Sequence, residues 1–570
     1  MKKKFNMGEN MSNKIITHKF RELLLPTILI AMALNITTVV DSSFVATYIG
    51  HNGQAALQVL EPLVLLITIF EWLFGLGGQI LSLNKKAEFD EEGSNHYFTI
   101  AMISTILISV LIIAVCFLFE DALITILHPT VNIIHYVKSY GFYLFICFPI
   151  VTIVGVLSQF IRVDGQPNFA SAIIIIANII NIILDYVFLG VFHMGIEGAS
   201  LAMLIGYIVG ALCALKYHFD SKRTFRFTTS KLTIKTWAAS TIEIIKIGLP
   251  GAGIGLFDVI LVYIMNLILA GILGEIGLDL YNVCVNALLI ISILIVGFAE
   301  TLSSIVPVYY YQYDFYNIKY IVKRSIRAAA ICSIAFTLFL LIYPDGFLIL
   351  YNLHVMPNDA MVESALRLYS LSFIPTAISL PLIFYYEGIE RTVESGIISL
   401  ISSLIGPLLF TFLLYPIMGI NGIWISFTLG IILSIVVTAI YVKFIQRKES
   451  EYSGLFFIKK DLLEKTKNYT LKSKNDEVKY EIFNHLKSLN VVDSSIETLN
   501  RIIDTIFDSN GDSIQIEFLI IDFDDKITVN LKDEGKTEVM KNIEKSFSDE
   551  NIKVSEVLGL NNIEYIINKG

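Results

Sequence analysis

The sequence predicts an all-α polytopic membrane protein, with twelve transmembrane helices in two pseudo-symmetric six-helix bundles, followed by a small cytoplasmic α+β domain. Three observations carry this reading: twelve long apolar runs, an alternation of Lys/Arg-rich and acid/His-bearing loops between them, and landmarks that repeat at one fixed offset. The 570 residues are 55% hydrophobic and only 16% charged, with a mean hydropathy of +0.68, too apolar for a soluble enzyme of ordinary composition.

A spanning helix needs roughly 20 apolar residues, since ~30 Å of hydrocarbon is crossed at about 1.5 Å per residue. Runs meeting this test lie near 24–48, 57–83, 98–119, 137–158, 169–191, 198–217, 244–271, 282–309, 324–350, 364–387, 395–415 and 420–446. Cytoplasmic loops retain Lys and Arg. Basic residues fall before the first run (Lys14, Lys19, Arg21), after the second (Lys85, Lys86), between the fourth and fifth (Arg162), between the sixth and seventh (Lys222, Arg223, Arg226, Lys231), and after the twelfth (Arg447, Lys448). The alternate loops carry His51, Glu120, Asp121, His128, His354 and Asp359 instead. Both termini are therefore expected in the cytoplasm.

The halves repeat. Pro26 and Pro250 are 224 residues apart, as are Gly50 and Gly274, and as are the Gly195-Ile196-Glu197-Gly198 and Gly419-Ile420-Asn421-Gly422 turns. A six-plus-six duplication implies two bundles about a pseudo-two-fold axis with a cavity between them. The expected division is a cytoplasmic segment 1–22, an N-lobe 23–220, an inter-lobe linker 221–240, a C-lobe 241–447, a linker 448–476 and a cytoplasmic domain 477–570. In that last domain 477–489, 493–508 and 538–547 read as helices, and 513–521, 526–531 and 562–567 as strands. Residues 451–570 hold 23 acids against 16 bases, so the acidic surplus sits in the tail, and neither part has the dense basic patch that nucleic-acid binding requires. The five cysteines lie in apolar runs without ligand spacing and read as small buried hydrophobes.

An ionised carboxylate within hydrocarbon costs several kcal/mol, roughly 3 or more, so acids in mid-span face a partner or a wet cavity. Asp41 and Asp185 are such acids, and Asn181 shares a helix face with Asp185 four residues on. If Asp41 meets them across the bundle, two carboxylates and neutral oxygens make a hard-ligand site suited to Na⁺, and the same desolvated, like-charged pair is suited to hold a proton. Residues alone do not choose between these. Glu61, Glu71, Glu300 and Glu387 sit near span ends or beside glycines and read as snorkelling to the interface. Tyr309-Tyr310-Tyr311 reads as an interfacial aromatic belt. Pro26 and Pro250 interrupt helix hydrogen bonding at equivalent depths, which suits helix bending.

Several motifs in order resemble the multidrug and toxic compound extrusion (MATE) family across roughly residues 15–447. They are Leu25-Pro26 with Val39-Val40-Asp41-Ser42-Ser43-Phe44-Val45, Phe74-Gly75-Leu76-Gly77-Gly78, Ile161-Arg162-Val163-Asp164-Gly165-Gln166-Pro167, Asn181-Ile182-Ile183-Leu184-Asp185, Gly248-Leu249-Pro250 and Gly419-Ile420-Asn421-Gly422-Ile423-Trp424. The resemblance implies a secondary antiporter in the bacterial inner membrane that expels amphipathic or cationic compounds in exchange for H⁺ or Na⁺. By position it implies Asp41, Asn181 and Asp185 as the cation cluster, Tyr140 as a supporting residue, and Asp258 as an acid of the second lobe. The sequence departs from the pattern on the tenth span, where a second acid is replaced by Thr376.

The tail resembles the ATP-binding fold of histidine kinases and anti-sigma kinases in its order of elements and in Asp533-Glu534-Gly535. That resemblance implies a nucleotide-site remnant at Glu497, Asn500, Asp533 and Gly535. Glu497 and Asn500 are three apart where the family has four, and the glycine-rich lid is reduced to Leu558-Gly559-Leu560. ATP hydrolysis is therefore not expected, and a degenerate nucleotide sensor or a protein-docking module for a cytoplasmic partner is. No Walker A motif GxxxxGK[ST] occurs, which argues against an ATP-driven pump. Two rival readings predict different residues: a lipid-linked oligosaccharide flippase would place bases in the cavity, and a membrane signalling protein would have lost the Asp41, Asn181 and Asp185 cluster.

Overall fold

In a computed structural model the described residues are 15–127, 131–230, 232–350, 359–474, 476–511, 514–547 and 551–569. Most of the segment 1–22 and the loop residues Lys14, His128, Lys231 and His354 lie outside them. Twelve helices are long and apolar enough to cross a membrane: α1 Ile15–Tyr48, α2 His51–Ala87, α3 Glu91–Leu118, α4 Ile134–Val163, α5 Pro167–Val191, α6 Glu197–His218, α7 Ile234–Leu273, α8 Ile276–Tyr311, α9 Phe315–Ile342, α10 Ala360–Gly388, α11 Thr392–Met418 and α12 Ile420–Lys448. The chain is a multi-pass membrane protein. Each predicted run overlaps one span, several of which begin one to three turns earlier; the ninth, expected to reach 350, ends at Ile342, and a separate short helix begins at Pro344.

Local chemistry sets the boundaries. Gly50 and Gly274, with φ of +85° and +64°, separate α1 from α2 and α7 from α8, a left-handed conformation that glycine adopts without Cβ strain. The repeat goes deeper than the sequence landmarks. Phe89 and Tyr313, also 224 apart, both turn left-handed at φ 60° and 62°. The residues after them, Asp90 and Asp314, each cap the next helix by accepting from a backbone N–H, Gly93 at 2.8 Å and Asn317 at 3.2 Å. Gly206 and Gly430 are a further pair at this offset, each pressed against the backbone of a neighbouring helix, where a Cβ would come within 2.5 Å of Ala177 O or Pro407 N.

α1–α6 and α7–α12 form two lobes. They meet along the helix halves nearest the soluble domain, where a Cβ on Gly77 would lie 2.3 Å from Ile244 O and one on Gly248 2.3 Å from Leu73 O. Phe20 stacks on Phe298 across the same interface with ring centroids 6.4 Å apart, and Gln79 donates to Ser304 at 3.3 Å.

After α12 a two-stranded hairpin (Tyr452–Ser453 with Ile458–Lys459) leads into a five-stranded sheet. Its strands are β1 Thr466–Leu471, β2 Ile516–Asp522, β3 Lys526–Asp533, β4 Ile552–Val557 and β5 Leu560–Asn568, in the order β1-β2-β3-β5-β4, every pair antiparallel. Helices α13 Glu477–Ser488, α14 Asp493–Asn510 and α15 Thr537–Ser546 complete the domain. The stripe Ile496, Leu499, Ile502, Ile503 and Ile506 on α14 is buried in one core with Phe518, Val529 and Ile563 of the sheet. The region expected as a linker, 448–476, holds the hairpin and β1. β1 was legible neither in composition nor in alternation, because only Leu471 of its six residues is buried; β4, the opposite edge strand, buries only Ser555 and Val557.

The Tyr309–Tyr311 run is not a belt at the membrane surface. Tyr309 is fully buried, and the Tyr310 hydroxyl donates to Phe457 O at 2.8 Å. An appended domain covers the helix ends at which an aromatic belt would otherwise meet lipid headgroups.

Candidate functional site

Two helices of the N-lobe bring the predicted cluster together. α5 places Asn181 and Asp185 one turn apart, and the Asn181 amide donates to Asp185 Oδ2 at 3.1 Å. Asp185 is fully buried and Asn181 is 1% exposed. The Asp41 carboxyl on α1 lies against that of Asp185. Asp41 Oδ1 and Asp185 Oδ1 are both buried without a hydrogen-bond donor. Two acceptor-only groups facing each other, with one oxygen of each unsatisfied, fit a shared proton or a hard cation with oxygen ligands. Tyr140, from α4, is 8% exposed beside the pair. A π-helical turn, Tyr186–Val191, begins directly after Asp185, an irregularity frequent at functional sites.

Gly206 on α6 allows this arrangement, since a Cβ there would stand 2.5 Å from Ala177 O and 3.2 Å from Asn181 Cβ. Gly206→Val is expected to push α5 away and cost about 1–3 kcal/mol of stability, read as a lower melting temperature of the purified protein.

The cluster opens onto a cavity of about 370 Å³ whose wall includes Asp41, Glu61, Glu71, Trp72, Tyr140, Asn181, Tyr207, Arg162 and Glu300. Its floor is a charged junction between the lobes. Arg162 of α4, only 3% exposed, reaches Glu300 of α8 at 2.8 Å and Thr27 of α1 at 3.3 Å, and also donates to Gln159. Gln159 in turn donates to Glu300 at 3.2 Å. The Glu71 carboxyl fits over Gly155, where a Cβ would be 2.4 Å from its Cδ.

The snorkelling expected of Glu61, Glu71, Glu300 and Glu387 is therefore corrected. The first three line the cavity, and Glu387 is fully buried in the C-lobe, accepting from the backbone N–H of Gly251 at 2.5 Å. Arg162, read as a loop base, points inward. Depth in the bilayer can be read from sequence, but which way a side chain faces around its helix depends on the neighbouring helices. The available signal was an excess of acids within the spans.

The second lobe does not repeat the cluster. At the 224-residue offset Asp41, Asn181 and Asp185 correspond to Met265, Ile405 and Leu409. Asp258 faces Ser403 within the C-lobe and is not among the residues lining the cavity. Thr376 donates its hydroxyl to Ser372 O at 2.8 Å in its own helix. Pro26 and Pro250 are buried inside helices that continue through them.

In the soluble domain, Asp533 closes the turn after β3 by accepting from Gly535 N at 2.7 Å and from the Asn561 amide at 2.8 Å. Asn500 donates to Asp504 at 3.3 Å, and Glu497 is exposed. Among the described residues neither hydrogen-bonds to Asp533 or Gly535. Leu558 and Gly559, φ 57° and 67°, form the two-residue turn of the β4–β5 hairpin.

The MatE family model matches residues 26–187. A solved outward-facing multidrug resistance MATE family transporter of the MOP superfamily superposes with a TM-score of 0.70 at 17% identity, covering 79% of this chain and all of that one. The chain has the MATE fold. A MOP superfamily transporter from Pyrococcus furiosus, described as having a binding pocket of reverse polarity that suggests a different function, is similar at a TM-score of 0.68 and 18% identity, over 78% of this chain and 98% of its own. By sequence the multidrug export protein MepA of Staphylococcus haemolyticus is 25% identical over 281 residues, 49% of this chain and 60% of that protein. The probable multidrug resistance protein YoeA of Bacillus subtilis is 23% identical over 234 residues, 40% and 50% of the two chains. The chain thus spans about 60% of the length of MepA and half that of YoeA. The 78–79% of this chain that these structures cover is about the length of the part that holds α1–α12.

Proposed function

We propose that this chain is a secondary antiporter that exports amphipathic or cationic small molecules through the bacterial inner membrane in exchange for H⁺ or Na⁺, with both termini cytoplasmic. The observation that carries the reading is the Asp41–Asp185 pair, two facing carboxyls with unsatisfied oxygens, of which Asp41 lines a cavity walled by N-lobe helices and by α8 of the C-lobe. Cation arrival neutralises the pair, which changes the packing of α1 on α5. Because the lobes already meet on the domain side, that change biases the equilibrium between outward-open and inward-open arrangements. Pro26 gives α1 a backbone position without an i→i−4 hydrogen bond at which to bend, and Pro250 does the same for α7.

The cavity wall supports a cationic rather than an anionic cargo. It bears Asp41, Glu61, Glu71 and Glu300 against the single Arg162, and Arg162 is already paired with Glu300. A pyrophosphate-linked lipid finds no unengaged base there, so the flippase reading is the weaker one. Similarity to MepA and YoeA agrees with multidrug export. Trp72, Tyr140 and Tyr207 offer ring faces for flat cations.

Ethidium efflux from energised vesicles tests this under separately imposed proton and sodium gradients. Wild-type protein is expected to move dye under one of them, naming the coupling ion. If a broad panel of amphipathic cations and neutral compounds stays put under both gradients, the reading fails.

A further inference from the structure

The sheet of the soluble domain has one face on α13–α15 and another that carries Glu517, Leu519, Thr528, Asn530 and Lys532. These are 2–7% exposed although most are polar. Glu517 meets α1 of the N-lobe, and Lys532 meets Asp314 and Tyr309 of the C-lobe.

The C-lobe side is an anchor. Asp314 at the start of α9 accepts from Asn468 at 2.7 Å and lies 3.9 Å from Lys532, whose ammonium stands 3.8 Å over the Tyr309 ring. The hydroxyls of Tyr310, Tyr385 and Tyr386 donate to the carbonyls of Phe457, Phe456 and Leu455 at 2.8, 2.8 and 2.9 Å. Arg391 pairs with Glu449 at 2.5 Å and lies 4.2 Å over Phe457.

The N-lobe side is a grip. Glu534 is 2.8 Å from His18 and 3.7 Å from Lys19, and the Ile15 N–H donates to Glu517 at 3.0 Å. The β4–β5 turn presses on the α4–α5 turn so closely that a Cβ on Gly165 would lie 2.7 Å from Gly559 Cα. Val557 and Leu558 at this turn belong to the core shared by both lobes rather than to the domain's own.

We propose that the soluble domain is an intramolecular clamp: anchored on the C-lobe, it grips the N-lobe through Glu534 and the 558–559 turn and holds the lobes together on its own face. Two lobes bonded to one rigid sheet cannot separate there, so inward opening requires the domain to release one of them. The N-lobe is the one released. Its grip is the contact of Glu534 with His18 and Lys19, two hydrogen bonds to α1 and α2 (Ile15 N–H to Glu517 and the Ser555 hydroxyl to Lys86 O) and one hairpin turn, whereas the C-lobe anchor adds chain continuity, three tyrosine hydrogen bonds and a stacked arginine. This clamp rests on the alternating motion of the two lobes in the proposed transport cycle.

Pulsed electron spin distances in the full-length protein test it without any transport reaction. With Cys213 and Cys332 replaced by Ser, one label pair at Glu91→Cys and Val393→Cys reports lobe separation on the domain side, and a second at Glu91→Cys and Asp524→Cys reports docking. Leu558→Asp puts a charge into the shared core at a left-handed position that aspartate tolerates, leaving the domain's own core intact. Glu534→Lys opposes Lys19. Both variants are expected to undock the domain and to raise the population of separated lobes at least about threefold over wild type. Adding Lys19→Glu to Glu534→Lys is expected to restore both distances. If the domain stays docked in both variants, or undocks while the lobes stay together, the clamp is overturned. Lobes that separate on release in a protein that moves no substrate under any gradient would retain the clamp and reject the transport reading.

Discussion

Asp185→Asn is expected to abolish gradient-driven efflux while leaving the protein folded. The substitution keeps the side-chain shape and its neighbour Asn181, but removes one of the two carboxylates that the proposed cycle assigns to the coupling cation. Asp41→Asn acts on the opposite member of the pair with the same outcome. A coupling free energy of ~1–3 kcal/mol corresponds to a change of about 5–150-fold in linked affinity, and here the driving interaction is removed outright. Asp258→Asn serves as the internal comparison. Asp258 lies beside Ser403 and does not line the cavity, so its replacement is expected to cost less. Dye efflux measured beside the melting temperature of each variant separates loss of coupling from loss of fold. An Asp185→Asn protein that still exports under the wild-type gradient would move the coupling site elsewhere, with Glu387, buried against Gly251, next to be tested.

The second large effect is expected at the cavity floor. Arg162 and Glu300 tie the lobes together at 2.8 Å with 3% and 14% of their side chains exposed. Removing the cation alone leaves Glu300, with Glu71 nearby, uncompensated in a low-dielectric site, and breaking a buried pair in this way costs about 3–5 kcal/mol. Arg162→Met should therefore lower the melting temperature markedly. Arg162→Met with Glu300→Gln, which removes both charges, should recover much of that loss. Thermal unfolding of the three proteins in detergent decides it: if the double variant is no more stable than the single one, the pair is not what holds the floor.

The two predictions differ in how legible their residues were. Asp41, Asn181 and Asp185 stand out in the sequence because a carboxylate in the middle of an apolar run is costly wherever it points, and because four-residue spacing fixes a shared face on any helix. The Arg162–Glu300 junction did not stand out. Its members are 138 residues apart, on helices of different lobes, and each alone sits where a charge can reach the membrane surface. The same holds for Glu387, which hydropathy places near a helix end and the structure seals against Gly251.

The soluble domain divides similarly. α13, α14 and α15 and the central strands were readable from amphipathic spacing and alternation. The edge strands β1 and β4 were not, since an edge strand buries few side chains and its pattern stays weak. The turn residues Leu558 and Gly559 looked like the remnant of a glycine-rich lid. Their positive φ angles and their seat against Gly165 belong to a hairpin pressed on the membrane portion.

By itself the sequence determined the twelve spans, the six-plus-six repeat, the acid and amide cluster of the first lobe and the existence of a separate α+β tail, because hydrocarbon thickness, helix periodicity and the cost of buried charge act on local stretches of chain. Only the tertiary structure decided which way each charged side chain faces, that the lobes meet on the domain side through Gly77 and Gly248, and that the tail lies across both lobes. Those outcomes depend on contacts between segments hundreds of residues apart, where a missing Cβ or a facing carboxylate acts through its neighbour in space and leaves no period in the chain.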